Sequence, residues 1–169
     1  MSTEYVARAL ARYDRSRLTL CSIGSHSALE VAYGARAQGL RNLVVTMTGR
    51  DQTYARHFAV AEDPVPRGCV EETLQLASFA EILGDDVQRE MLARNVFFVP
   101  NRSFEVYARQ RYDYDEIERR MLVPFFGNRH LLRAEERPST AGAQSDERDQ
   151  YALLRRAGIR HPRQLSSPD

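Results

Sequence analysis

Hydrophobic and polar positions follow two rhythms along the chain. In residues 18–23, LTLCSI, apolar and β-branched side chains form a short run, the signature of a strand. Ahead of it, Val6, Leu10 and Tyr13 fall on one face at helical spacing and predict a short helix over 3–15. Behind it, Gly24, Ser25, His26 and Ser27 interrupt the run. A helical pattern then spans about 28–38, with Ser27 as its N-cap and Gly39 at its end. NLVVTMT (42–48) is nearly continuous in apolar residues, as expected of a buried parallel strand. EETLQLAS (71–78) alternates and predicts a third strand. DDVQREMLARN (85–95) opens on carboxylates and carries apolar residues at 87, 91 and 92, which fits a helix.

VFFVP (96–100) reads as a fourth strand, and SFEVYARQR (103–111) as a helix capped by Ser103. MLVPFFGN (121–128) predicts a further strand leading into a helix at GNRHLLRAEE. YARQRYDYDEIERR (107–120) reads as a solvated helix-loop surface; its four acidic residues argue against tyrosines stacking on RNA. Residues 136–150, ERPSTAGAQSDERDQ, are polar and without periodicity, which predicts a flexible linker. A short helix, YALLRRAGI, follows and stops at Gly158, and HPRQLSSPD carries no core element of its own.

Strand and helix alternating over short connections predict an α/β fold with an open, mainly parallel sheet in three layers. In such sheets the ligand site lies outside the carboxyl ends of the strands. The informative residues are then those that follow strands: GSHS (24–27), TGRD (48–51), PNRSF (100–104) and FFGNR (125–129).

Composition narrows the chemistry. With 169 residues, 43% of them hydrophobic, the chain is long enough for one core. It has no apolar run long enough to span a bilayer, and its charged first 17 residues contain no signal-peptide core. Cys21 and Cys69 lack CxxC spacing and read as buried reduced thiols, which suits a cytoplasmic protein. A net charge of +1 supplies no field that would draw the chain to nucleic acid or membrane. All 24 basic residues are arginine, which base composition of the coding sequence explains. Any anion site must therefore use arginine or backbone N–H groups, and a lysine-dependent phosphate loop is excluded. Four scattered histidines offer no metal-ligand spacing, so no metal site is expected in this chain.

Each rim segment has two readings. The GSHS turn, with Gly24, Ser25, His26 and Ser27, presents small residues and a helix N-terminus to which a phosphate could bind. A capping serine and a surface histidine explain the same letters. Arg50 can hold an anion bidentately, or pair with Asp51 on a solvated loop. Ser103 either caps its helix or donates to a ligand. Asn128 and Arg129 follow Gly127 on the last predicted strand end and would face the same rim.

In order along the chain stand GSHSAL, TxxGRDxxY with Arg56, VPxxSF, LVPFFGNRxLLR and LLRRAGI. This series resembles the N-terminal region of the PurP-type ligases of the ATP-grasp superfamily. That family makes 5-formaminoimidazole-4-carboxamide ribonucleotide (FAICAR) from the amino compound (AICAR), formate and ATP, through an acyl phosphate. The resemblance implies a pre-ATP-grasp substrate domain over 1–135, a linker over 136–150, and over 151–169 the start of a connection to an ATP-grasp core not contained in this chain. It implies that His26 and Ser103 contact the imidazole ribonucleotide. Arg50 and Arg129 are assigned to its phosphate from charge and position at strand ends. ATP and Mg²⁺ belong, on this reading, to the core in the complete enzyme, a homo-oligomer, with neither bound by this chain alone. No catalytic residue is assigned to it.

Two departures stand out. The family commonly shows VPHGSF where this chain has VPNRSF, and an aromatic residue where Ala134 stands. Asn101 and Arg102 would place new bulk and charge beside the substrate. Two further readings stay open: a non-catalytic nucleotide-binding module, and a related amide ligase with a different amine acceptor.

Overall fold

The computed structural model describes residues 3–127 and 150–162; the side chains of residues 3–6 and of Arg102 lie outside that description. The chain divides into two compact units, residues 1–127 and 128–169.

The first unit is built on four parallel strands. They are β1 (Thr19–Ile23), β2 (Arg41–Met47), β3 (Glu72–Leu76) and β4 (Val96–Phe98), in the order β3-β2-β1-β4. Thr19 pairs with Arg41 on one side and Val96 on the other, so β1 is central. The near-continuous apolar runs of β1 and β2 are buried through their middles, and β3 at the edge is half exposed. Glu72 on that edge accepts ion-paired hydrogen bonds from Arg41 and Arg94.

The predicted α/β sheet is therefore present, with strand bounds within two residues of those read from the sequence. The predicted fifth strand shrinks to a single parallel bridge between Phe98 and Phe125. There Phe98 N donates to Pro124 O and Phe126 N to Phe98 O, both at 2.8 Å. Pro124 has no N–H of its own, which is one reason a longer ladder does not form.

From β1 the chain steps outward to β2 and β3, then returns across β1 to place β4 on its far side. Right-handed crossovers put the connections of these two directions on opposite faces. Helix α2 (Ala28–Ala37) packs on β1 and β2 through Ala28, Ala32 and Ala35, residues small enough for close approach to the sheet. The β3–β4 connection carries a buried 3₁₀ turn, Phe79–Leu83, and helix α3 (Asp85–Ala93); helix α4 (Arg102–Ala108) packs against that turn. Phe98, Phe104 and Phe125 meet with ring centroids 4.9–5.9 Å apart and fill the space between β4 and α4.

Several expectations change in detail. Helix α1 (Thr3–Ala11) stops short of residue 15, and a 3₁₀ turn at Arg15–Arg17 follows, capped by Asp14. Ala9 and Tyr13 are sheltered while Leu10 is exposed, and the Tyr13 hydroxyl reaches Val96 O at 2.8 Å. The aromatic and acidic run is not simply a solvated surface. It folds into α5 (Tyr114–Arg120), with Tyr112, Tyr114 and Ile117 buried. Its charges face water, and a capping box joins Asp113 to Glu116.

Helix α3 buries Gln88 as fully as Met91. Its amide donates to Ile82 O at 2.7 Å and accepts from Leu122 N and Val123 N at 2.7 and 2.9 Å. One polar side chain thus ties the 3₁₀ turn to the segment that delivers Phe125.

Of the second unit, helix α6 (Gln150–Arg156) is described, ended by Gly158 at φ +66° as a left-handed C-terminal residue. Its first residue, Gln150, stands in the helix rather than the predicted linker; residues 136–149 and the helix expected from GNRHLLRAEE lie outside the described residues beyond Gly127.

Candidate functional site

The strand order reverses direction at β1, so the carboxyl ends of β1 and β4 form the switch point of the sheet. In doubly wound sheets this is where a ligand site is expected.

The β1 side is the GSHS turn. Gly24 N donates to Val45 O at 2.7 Å, and a Cβ at this position would lie 2.7 Å from the ring of Tyr54, so only glycine fits. The next two residues turn sharply: Ser25 N bonds Ile23 O and Ala28 N bonds Ser25 O. His26 is exposed at φ +32°, a conformation non-glycine residues adopt at a cost. Ser27 occupies the N-cap position of α2 but makes no capping hydrogen bond through its side chain, contrary to the sequence expectation. The first N–H of α2 is thus used within the turn, while the His26 and Ser27 side chains are exposed at the rim.

The β4 side is PNRSF. Asn101, not Ser103, occupies the N-cap position of α4. Its side-chain amide is buried and donates to Ile23 O at 2.8 Å and Ser25 O at 2.9 Å, while its Oδ1 has no hydrogen-bond partner. Asn101 thus clamps the end of β4 to the end of β1 and braces the strained turn. It lies beneath the rim rather than on it, so its difference from the family pattern alters support more than the binding surface. Ser103 sits in the first turn of α4, buried, and accepts a hydrogen bond from the Ser25 hydroxyl at 2.9 Å.

The β2 side is TGRD. Arg50 does not pair with Asp51; its Nη1 donates to the Tyr107 hydroxyl at 2.8 Å, whereas Asp51 accepts from Gln52 at 3.2 Å. A turn of π-helix at Thr53–His57, of a kind found often at functional sites, follows and buries Tyr54 under Gly24. Burial pushes the Tyr54 phenol above its ordinary value, opposed by the nearby Arg50 guanidinium and reinforced by Glu30 and Tyr107. Tyr54 packs under the GSHS turn and, through Tyr54 N bonded to Asp51 O, belongs to the same loop as Arg50. Arg56 and His57 are exposed on the π turn.

The structure brings together Gly24, Ser25, Ser103 and, through Tyr54, Arg50. His26 and Ser27 ride on the same turn. Asn128 and Arg129 lie outside the described residues. Tyr54 and Tyr107 were not anticipated as parts of the site, although Tyr54 ends the TxxGRDxxY motif, and nothing local marked Tyr107; Asn101, expected beside the substrate, is instead a buried support. Among the described residues, no group of three or more His, Cys, Asp or Glu could hold a metal ion, and no helix is long and apolar enough to cross a membrane. Cys21 and Cys69 are buried and free.

Fold and site define a doubly wound α/β domain whose candidate polar residues gather at its switch point. The chain belongs to the family described as "Protein of unknown function (DUF1246)", whose model matches residues 20–165. It is 36% identical over 166 residues to the 5-formaminoimidazole-4-carboxamide-1-(beta)-D-ribofuranosyl 5'-monophosphate synthetase of Ignicoccus hospitalis, covering 97% of this chain and 41% of that protein. The synthetases of the same name from Methanopyrus kandleri and Methanocaldococcus jannaschii are 33% and 31% identical over all 169 residues, which span 41% and 40% of their lengths. The chain thus spans about two fifths of the curated relatives it matches, in agreement with the family resemblance carried by its motifs.

Proposed function

We propose that this chain is the substrate-side domain of an ATP-dependent ligase that joins formate to the amine of AICAR, giving FAICAR, ADP and phosphate in purine biosynthesis. The observation that carries the reading is the Ser25–Ser103 contact across the switch point. It places Ser103 beside the turn that bears His26, so the two residues assigned to the imidazole ribonucleotide share one rim. The names of the relatives support the same substrate class.

On this reading Ser103 and His26 hold the imidazole carboxamide, with Gly24, Ser25 and Ser27 shaping the turn beneath it. Arg50 holds the 5′-phosphate, joined there by Asn128 and Arg129. The domain contributes orientation and phosphate electrostatics rather than a nucleophile or general base. ATP supplies the energy for amide formation. ATP and Mg²⁺ are assigned, as the family resemblance implies, to an ATP-grasp core on the same or another chain. The proposal includes a cytoplasmic homo-oligomer.

Calorimetric titration of the chain with AICAR tests it. Saturable one-site binding is expected, weakened about ten-fold or more in His26→Ala and Ser103→Ala, the loss of one or two good polar contacts. Absence of binding at millimolar AICAR overturns it. The Asn101-Arg102 pair, where the family commonly shows His-Gly, favours one second reading, a non-catalytic module that binds the nucleotide alone. A native protein of this chain's mass in cell extract would support the module; a longer one would support the ligase.

A further inference from the structure

We infer that Tyr107 is a positioning residue: it aims Arg50 at the substrate's 5′-phosphate and so makes the site selective for the phosphorylated nucleotide over the nucleoside. The inference rests on the ribonucleotide reading given above.

Arg50 is exposed, and among the described residues no carboxylate lies within ion-pair distance of it. Its hydrogen-bond partner is neutral, the Tyr107 hydroxyl at 2.8 Å. A carboxylate partner would cancel the charge; a phenol fixes the guanidinium without cancelling it. One Nη1 hydrogen is used, and the remaining donors stay available for a bidentate phosphate contact.

Tyr107 is itself fixed. Its ring packs on buried Phe79 with centroids 4.8 Å apart. It stands four residues after Ser103, on the same face of α4. Asn101 sets the start of α4 by its two bonds to the β1 end. The helix therefore presents Ser103 to the GSHS turn and Tyr107 to Arg50 in one rigid piece. A free surface arginine loses rotamer freedom on binding, and holding it beforehand removes part of that cost.

The test compares AICAR with its dephosphorylated riboside, titrated calorimetrically into the chain and its variants. Tyr107→Phe keeps the ring on Phe79 and removes the hydroxyl. It is expected to weaken AICAR binding about five-fold to ten-fold, the worth of one pre-ordered side chain, and leave riboside binding unchanged. Arg50→Ala should sharply reduce the preference for the phosphorylated form, and adding Tyr107→Phe to it should have no further effect. Should Tyr107→Phe fail to fold, Arg50→Lys, which keeps the charge without the fork, should show the same selective loss. Unchanged AICAR affinity in Tyr107→Phe, or equal loss for both ligands, overturns the inference while the ribonucleotide reading stands. Wild-type chain that binds neither ligand overturns both.

Discussion

The Ser25 hydroxyl donates to the Ser103 hydroxyl across 2.9 Å, joining two strand ends that are 78 residues apart in sequence. Because β1 and β4 are neighbours in the sheet, the loops that leave them must either collide or share polar contacts. This pair is one such contact, and Asn101 supplies two more directly beneath it. On the proposed function, ligand recognition and loop support are therefore built from adjacent residues of one segment.

If the two hydroxyls act on each other, their deletions will not add. Ser25→Ala and Ser103→Ala should each cost about 1 kcal/mol of folding stability, and the double variant clearly less than the sum. Urea denaturation of the four proteins measures the cycle; strict additivity would show that the contact contributes nothing.

His26 offers a test of strain held for function. With φ at +32°, glycine should be tolerated better than alanine by about 1 kcal/mol. Thermal unfolding should rank His26→Gly above His26→Ala, while both lose nucleotide affinity because the imidazole is gone. Equal stabilities would mean that the turn relaxes.

Asn101→Ala removes donors from two carbonyls, one at the end of β1 and one in the turn. A loss of about 2 kcal/mol is expected, with faster hydrogen exchange in the GSHS turn. Asn101→Asp should do at least as much harm, since a carboxylate would face both carbonyls. A stable, fully protected Asn101→Asp protein would contradict the clamp.

Gln88→Leu keeps volume but leaves the Leu122 and Val123 amides without their acceptor. About 3 kcal/mol should be lost, since a buried unpaired donor costs on the order of 1–3 kcal/mol. Exchange at those two amides should accelerate ahead of the sheet's own.

Burial raises the thiol of Cys21 far above its ordinary value, and that of Cys69 in the same direction. Native protein should react slowly with a thiol reagent, and both cysteines quickly once unfolded. The unfolded chain releases these protons above about pH 9 while the native state retains them. Stability is thus complete below that pH and falls as pH rises beyond it, a slope that Cys21→Ala should reduce.

Much of this protein is determined by its sequence alone. Apolar runs of the right length marked β1, β2, β3 and β4, and alternation with helices allowed only an open parallel sheet with its site at the carboxyl ends. The motif series pointed to the family before any contact was known. Tertiary structure decided the rest. Periodicity tells which positions are apolar but not what lies opposite a polar one. Gln88 is a polar position within a predicted helix and is a buried bracket; Tyr112 and Tyr114 sat in a charged run and are core. Ser103 looked like a cap, yet the N-cap of α4 falls two residues earlier, at Asn101, and Ser103 bonds Ser25 from the first turn. Arg50 had an adjacent acid in sequence and found a tyrosine 57 residues away instead. Each of these outcomes depends on β4 lying beside β1 and on the rotation of α4 about its axis. Local propensity sets neither, and packing sets both.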